Sequence, residues 1–381
     1  MSIPDLKSQL QQLVSAPSVS SHSARWDMTN EPVIVLLAQW LRDLNFCVEI
    51  LPVPGNDKKF NLVATLGSGP GGLVLAGHTD TVPYDDQLWQ SDPFKLSERD
   101  NRWYGLGATD MKGFFPVAIE AARAFENTPL QQPLIILATA DEESTMSGAR
   151  ALAEAGYPKA RYAVIGEPTG LRPIRMHKGM MMEAVQIEGH SGHSSDPSLG
   201  NNALESMHRV IQELMSFRQS LQQQYQNPLF TVPAPTLNLG CIHGGDNPNR
   251  ICGHCELQFD LRALPGMDND ELRQQIDEKL QVVARENNIV VQRKTLFGGV
   301  PAFEQSADSE LVKTAERLTG HSTECVAFAT EAPFLQRLGM ETIVMGPGSI
   351  DQAHQPDEFI PLDQIKPAVD VLKQMIQKFC L

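Results

Sequence analysis

The sequence is short of three features that mark broad classes of protein: cysteine, net positive charge and long apolar runs. Six cysteines in 381 residues are too few for a disulfide scaffold, so free thiols in a reducing compartment are expected. Only 31 basic residues stand against 46 acidic ones, which argues against nucleic acid or an anionic membrane surface as a partner. The start of the chain lacks a basic segment followed by an apolar run, and no stretch reaches the roughly 18 apolar residues of a membrane span. A cytoplasmic protein that does not enter the membrane is therefore expected.

Two common enzyme signatures are also missing. The chain has no Walker loop and no nucleophile-elbow serine, which weakens nucleotide-dependent and serine hydrolase interpretations. The segment GSGPGG (67–72) has the letters of a dinucleotide fingerprint, but a strand follows it rather than a helix, and we predict a hairpin loop there. Cys252 and Cys255 have the spacing of a zinc pair, but they lie in an alternating run typical of a strand, where residues three apart face opposite sides.

Short apolar runs alternate with helical stretches through the first 176 residues. Runs such as LVLAG, LIILATA and YAVIG have the length of buried strands, and helices are predicted near 111–126 and 145–155. This alternation predicts an α/β fold with a mostly parallel sheet flanked by helices. Because the pattern returns later in the chain, residues 1–176 and 298–381 are predicted to form one discontinuous domain.

A different order of elements separates these two parts. Residues 177–297 read as strand, helix, strand, strand, helix, strand, with helices near 201–225 and 268–286. The second helix starts with Asp268 and Glu271, which are spaced as a capping box. A βαββαβ unit folds as a small sheet with helices on one side, so an inserted domain is predicted.

Metal-competent side chains follow four of the predicted strands. In an open parallel sheet, sites form at the edge where the strands end. A fifth such residue precedes a predicted helix. Each of them alone would more often be solvated or structural, but their shared position argues for a common site. Two imidazoles and three carboxylates with no thiolate suit Zn, Co or Mn in a hydrolytic site, and a bridging carboxylate would let five ligands hold two ions. The predicted ligands are His78, Asp110, Glu143, Glu167 and His354.

Two further acidic residues have other predicted roles. Glu142 is adjacent to Glu143, so the two side chains diverge, and Glu142 can act as the general base that takes a proton from water. The alternative for this pair is an acidic start to a helix. Asp80 stands two residues after His78 and is predicted to accept the ring N–H that faces away from the metal.

A family resemblance runs in order over nearly the whole chain. It rests on the segments GHTDTVP (77–83), GLGATDMKG (105–113), ATADEES (138–144), GEPT (166–169), GHSSDP (192–197) and AHQPDE (353–358). In these segments the chain resembles the dinuclear zinc aminoacylase and carboxypeptidase family, which includes succinyl-diaminopimelate desuccinylase. Four more segments most resemble the branch that removes an acetyl group from N-acetylornithine in arginine biosynthesis: HKG (177–179), NRIC (249–252), TEAPF (330–334) and GPGSI (346–350).

The resemblance implies a cofactor, an assembly and a set of roles. Two divalent ions, zinc or cobalt, are implied, with Asp110 bridging them and Glu142 as the base. The inserted domain is implied to be a lid that supports a homodimer, with His193 reaching the partner subunit's site to stabilise the oxyanion. Asn249 and Arg262 are implied to contact the substrate, the arginine through a carboxylate.

Two other functions stay open from the sequence. The nearer one keeps the chemistry and changes the substrate to N-succinyl-diaminopimelate, another N-acyl amino acid or a short peptide. The more distant one is a metal-stabilised binding protein without enzymatic activity. The presence of Glu142, which binds no metal in this scheme, disfavours the second alternative.

Overall fold

A computed structural model of the chain describes residues 3–381, which form two units, each with its own apolar core. The first unit comprises Met1–Arg175, Gln305–Glu324 and Glu331–Leu381, and the second comprises Met176–Glu304 and Cys325–Thr330. The first unit is therefore discontinuous in sequence. No helix within residues 3–381 combines the length and the apolar content that crossing a membrane requires.

The helices and strands are numbered in chain order. The helices are α1 (Leu6–Val14), α2 (Glu31–Asp43), α3 (Phe114–Arg123), α4 (Ser147–Ala155), α5 (Ala203–Gln224), α6 (Asn269–Asn287), α7 (Glu310–Thr319), α8 (Ala332–Arg337) and α9 (Leu362–Cys380). The strands are β1 (Cys47–Val53), β2 (Asn56–Leu66), β3 (Leu73–His78), β4 (Ser97–Arg99), β5 (Arg102–Tyr104), β6 (Leu134–Thr139), β7 (Tyr162–Pro168), β8 (Ile174–His177), β9 (Met180–Glu188), β10 (Thr236–Gly244), β11 (His254–Arg262), β12 (Val290–Val300), β13 (Phe303–Glu304), β14 (Glu324–Val326), β15 (Glu341–Gly346) and β16 (Phe359–Pro361).

The large sheet of the first unit has a parallel centre. Its strands run in the order β1-β2-β6-β3-β7-β15-β8, and β6, β3, β7 and β15 pair in parallel. The strands β3, β6 and β7 are buried along their whole length, which explains their unbroken apolar sequences. Helices such as α2, α3 and α9 contribute to the same core. The predicted α/β class is confirmed.

One local prediction about this sheet was wrong. The segment at 67–72 connects β2 to β3, but these strands are not neighbours, because β6 lies between them. The connection is therefore not a hairpin loop. Nothing in the sequence of residues 67–72 indicates that β6, which begins more than 60 residues later, pairs between β2 and β3.

The second unit has the βαββαβ order that the sequence predicted. An antiparallel sheet in the order β10-β11-β9-β12 packs with α5 and α6 around its own core. Helix α6 is capped by Asp268, whose carboxylate accepts the N–H groups of Asp270 at 2.8 Å and Glu271 at 3.0 Å. The apolar face of this helix, with Leu272 and Ile276, is buried.

Candidate metal centre

Four of the five predicted ligands lie where four neighbouring strands end. His78 is the last residue of β3, and Glu167 lies next to the last residue of β7. Glu143 follows β6, and His354 follows β15 after a short turn. Because these strands pair in parallel, their carboxyl ends meet at one edge of the sheet. Asp110, in the loop between β5 and α3, completes the group.

Asp110 lies between the two histidines. Its Oδ1 atom is 3.0 Å from Nε2 of His78, and its Oδ2 atom is 3.6 Å from Nε2 of His354. His78 is also 3.9 Å from a carboxylate oxygen of Glu167, and His354 is 3.0 Å from one of Glu143. Each oxygen of Asp110 thus faces a different histidine, and each histidine lies near a different outer carboxylate, Glu167 or Glu143. This is the arrangement that a carboxylate needs in order to bridge two ions.

The site concentrates negative charge in a buried place. Burial raises the pKa values of Glu142 and Glu167 well above the usual value of a glutamate, and neighbouring carboxylates raise both pKa values further. Burial opposes the charged form of His78, but its hydrogen bond to Asp110 and the nearby carboxylates raise its pKa well above the usual value. Divalent cations would supply the positive charge that these carboxylates need in order to be ionised together. The residues therefore fit a metal centre by charge and by their nitrogen and oxygen donors.

Asp80 orients the site through two different groups. Its main-chain oxygen is 3.0 Å from Nδ1 of His78, whereas its nearest carboxylate oxygen is 3.7 Å away. The carboxylate accepts the backbone N–H groups of Glu142 at 3.2 Å and Glu143 at 3.1 Å. The ring contact predicted for the carboxylate is thus made by the main chain, and the carboxylate holds the turn that carries Glu142 and Glu143.

Sequence reasoning missed Lys59, whose side chain is fully buried. Its Nζ atom is 2.8 Å from Asp141 and 2.7 Å from Asp27. Asp141 adopts a φ of +63°, which is uncommon outside glycine, and it starts the turn of Glu142 and Glu143. The ion pair therefore holds a strained turn in place. In the segment DKKFNLVATLG this lysine looks like the solvated start of a strand, so no sequence signal distinguished it.

Two more buried carboxylates lie near the predicted ligands. Glu331 accepts the hydroxyl of Thr139 at 2.8 Å, and burial raises its pKa to about 7. Glu358 accepts backbone N–H groups of the loop that carries Asp110, and burial raises its pKa to about 8. Glu331 stands in the segment TEAPF and Glu358 in the segment AHQPDE. The sequence signal that could have identified them was an acidic residue with no assigned role inside a segment that carries the family resemblance.

The three remaining predicted residues lie in the second unit. The N–H of Ser194 donates to the main-chain oxygen of Asn249 at 3.1 Å, which joins the loops of His193 and Asn249. Arg262 is the last residue of β11 and pairs with Asp260 at 2.9 Å, whereas Asn249 precedes the first residue of that strand. At about 3.3 Å per residue, the two ends of β11 are roughly 26 Å apart. The structure thus brings His193 and Asn249 together and leaves Arg262 apart from them.

Comparisons with known proteins give matches over most of the chain. Residues 74–378 match the model of peptidase family M20/M25/M40. The chain is 49% identical over 380 residues to an acetylornithine deacetylase of Pectobacterium carotovorum, covering 100% of this chain and 99% of the relative. It is 50% identical over 368 residues to an acetylornithine deacetylase of Klebsiella pneumoniae, covering 97% and 96%. The crystal structure of an M20 family metallo-carboxypeptidase from Sulfolobus solfataricus shares the fold, with a TM-score of 0.77 at 17% identity over 98% of this chain and 99% of that one.

Proposed function

Because this chain belongs to peptidase family M20/M25/M40, we propose that it is a metal-dependent amidohydrolase that removes the acetyl group from N2-acetyl-L-ornithine. The products are L-ornithine and acetate, in arginine biosynthesis. The position of Asp110 supports this type of reaction, because its two carboxylate oxygens face His78 and His354 separately. The substrate follows from full-length similarity at 49% identity to a protein named acetylornithine deacetylase.

The proposal assigns the ligands to two divalent ions, zinc or cobalt. One ion is held by His78, Asp110 and Glu167, and the other by Asp110, Glu143 and His354. When bound, the ions polarise the acyl carbonyl and acidify water. Besides Asp110, each half of the site contains one histidine and one carboxylate: His78 with Glu167, and His354 with Glu143. This even distribution supports the assignment.

Glu142 is the proposed general base. It takes the proton of the attacking water and passes it to the departing amine nitrogen. Burial and nearby carboxylates raise the pKa of Glu142, and a base with a raised pKa can both accept and return a proton near neutral pH. Asp80 keeps this side chain in place by holding the N–H groups of Glu142 and Glu143.

The second unit is proposed to act as a lid and to form a homodimer. His193 is proposed to stabilise the oxyanion, and Asn249 and Arg262 to bind the substrate. One small substrate cannot contact both ends of β11, so the position of Asn249 and His193 at one end and Arg262 at the other supports sites completed by two subunits. The reaction is proposed to take place in the cytoplasm, where the six free cysteines would remain reduced.

The test compares three substrates with and without a chelator. N-acetylornithine should be hydrolysed with a higher kcat/KM than N-succinyl-diaminopimelate or a dipeptide, and the activity should disappear with chelator and return with zinc or cobalt. Substitution Glu142→Gln should lower kcat by about 10²–10⁴-fold, because the base is lost, while metal content stays the same.

The matched control is Glu154→Gln, at an exposed position of α4, which should keep wild-type kinetics. Metal-loaded protein that hydrolyses none of the three substrates would exclude the proposed activity. Normal turnover by Glu142→Gln would remove this residue from the role of base.

A further inference from the structure

A buried carboxylate, that of Glu358, contacts the loop that carries Asp110. Glu358 stands four residues beyond His354 and is only 2% exposed. Its Oε2 atom accepts the N–H of Gly107 at 3.0 Å. Its Oε1 atom accepts the N–H groups of Thr109 at 2.7 Å and Asp110 at 2.9 Å. Three backbone N–H groups of one short loop thus donate to one side chain.

The loop that carries Asp110 has no helix or strand of its own. Residues 107–110 lie between β5 and α3 and belong to neither element. Gly107 has a φ of +79°, and a Cβ there would lie 2.8 Å from Cγ2 of Thr81, so the backbone passes close to its neighbours. Backbone N–H groups buried in such a loop need an acceptor, and the two oxygens of one carboxyl group can accept several of them. Both oxygens of Glu358 are used in this way.

The same segment is joined to the loop at two more points. The main-chain oxygen of Glu358 accepts the N–H of Gly105 at 3.0 Å, and the hydroxyl of Thr109 donates to the main-chain oxygen of Phe359. Strand β16, which starts at Phe359, pairs with β5 just before the loop. The segment that carries His354 and the loop that carries Asp110 are therefore linked by side chain and main chain.

From these contacts we infer that Glu358 is a positioning residue that sets the place of Asp110 between the two ions. The inference rests on the proposed metal centre. Asp110 faces both histidines. A shift of its backbone would therefore alter its position relative to both proposed ion sites. Loss of Glu358 is thus expected to weaken both metal sites. Loss of an outer ligand such as Glu167 would weaken mainly one.

The test is metal binding by Glu358→Gln. The amide has nearly the same shape, but it keeps one acceptor oxygen and turns an NH2 group toward backbone donors. Titration with Zn and Co in a calorimeter should show the affinity of both ions falling about 10–100-fold, the range found when residues that support metal ligands are changed. The visible absorption of the Co-loaded protein should change, and kcat should fall more than KM for N-acetylornithine rises.

The matched control is Asp268→Ala. It also removes a carboxylate that accepts two backbone N–H groups, but at the start of α6 in the second unit. It should lower the free energy of unfolding and leave ion binding and the Co spectrum unchanged. If Glu358→Gln does not fold, Glu358→Asp provides the test, since it keeps the charge and falls one methylene short, and its affinity should lie below that of the wild type.

The outcomes separate the two proposals. Wild-type affinity for both ions and an unchanged Co spectrum in the folded Glu358 variants would overturn the positioning role. Wild-type protein that binds no divalent ion would instead overturn the metal centre itself. Weaker binding of only one ion would show that Glu358 supports a ligand of that ion rather than Asp110 as the bridge between both. This result would also overturn the inference.

Discussion

At the scale of single residues, the buried ionisable side chains are of two kinds. Lys59 is buried as a charge and is matched by Asp27 and Asp141. His177 is buried, and within residues 3–381 it has no charged partner. Its Nε2 atom accepts the N–H of Thr330 at 3.3 Å, so Nδ1 carries the proton and donates to the main-chain oxygen of Lys178 at 2.9 Å. Burial lowers the pKa of this imidazole to about 4.

His177 should therefore make the protein sensitive to acid. Its pKa in the unfolded chain is 6.5 and in the folded chain about 4, so between these values the unfolded chain binds a proton that the folded chain does not. This contribution to stability is complete above pH 6.5 and is lost as the pH falls toward 4, by about 3 kcal/mol in all. Denaturant unfolding from pH 8 to pH 4 should show a smaller loss for His177→Gln than for the wild type.

His208→Gln serves as the control for that measurement. His208 is exposed on α5, and its replacement should leave the pH dependence of unfolding as in the wild type. The same pH dependence in all three proteins would show that His177 is not the group that titrates.

At the scale of elements, the position of Glu167 depends on how closely α3 approaches β7. Gly166 precedes Glu167 in the strand, and a Cβ on Gly166 would lie 2.0 Å from the ring of Phe114, the first residue of α3. A contact this short cannot occur, so an added methyl group must separate the helix from the strand. The absence of a side chain at Gly166 is thus a condition for placing Glu167 at the site.

We expect Gly166→Ala to destabilise the protein and to weaken metal binding. Overpacking of this kind costs about 3 kcal/mol. Gly156→Ala is the control: Gly156 ends α4 at a φ of +69°, and a Cβ there would meet no atom of the described residues within 4 Å. The substitution should therefore cost about 1 kcal/mol through its backbone alone. Chemical denaturation and Zn titration measure both effects. Equal losses in the two variants, with unchanged Zn affinity, would contradict the argument.

At the scale of the whole molecule, the proposed dimer would bring together the residues of the second unit that are proposed to contact the substrate. His193 and Asn249 lie at one end of β11 and Arg262 at the other, within one unit. If one substrate uses all three residues, they must come from two copies of the chain. An interface of this kind is symmetric, so each copy would both give and receive the loop of His193.

Mixed dimers test this exchange. A mixture of Glu142→Gln and His193→Ala proteins should form dimers with one complete site, because the second protein keeps its base and receives His193 from the first. Random exchange of equal amounts should restore about a quarter of the sites of a two-fold dimer. Mixing Glu142→Gln with the double variant Glu142→Gln/His193→Ala should restore none. Mixed dimers seen by mass spectrometry but without activity would place His193 outside the partner's site.

The sequence by itself determined the class of the fold and the composition of the candidate site. The apolar runs that became β3, β6, β7 and β15 are local patterns, and local burial is enough to define them. Parallel strands share one carboxyl edge, so residues that follow such runs come together whatever the order of the strands. For this reason His78 and Glu167 could be grouped before any contact was known.

The tertiary structure alone decided which groups touch. The insertion of β6 between β2 and β3 places residues 67–72 in a crossing connection, and no local pattern records that pairing. Lys59 meets Asp141, and Glu358 meets the N–H of Asp110, across 82 and 248 residues of chain. Such contacts depend on the order and register of distant strands, which short-range hydrophobic periodicity does not encode. The sequence therefore named the candidate ligands, and the fold supplied the groups that contact them.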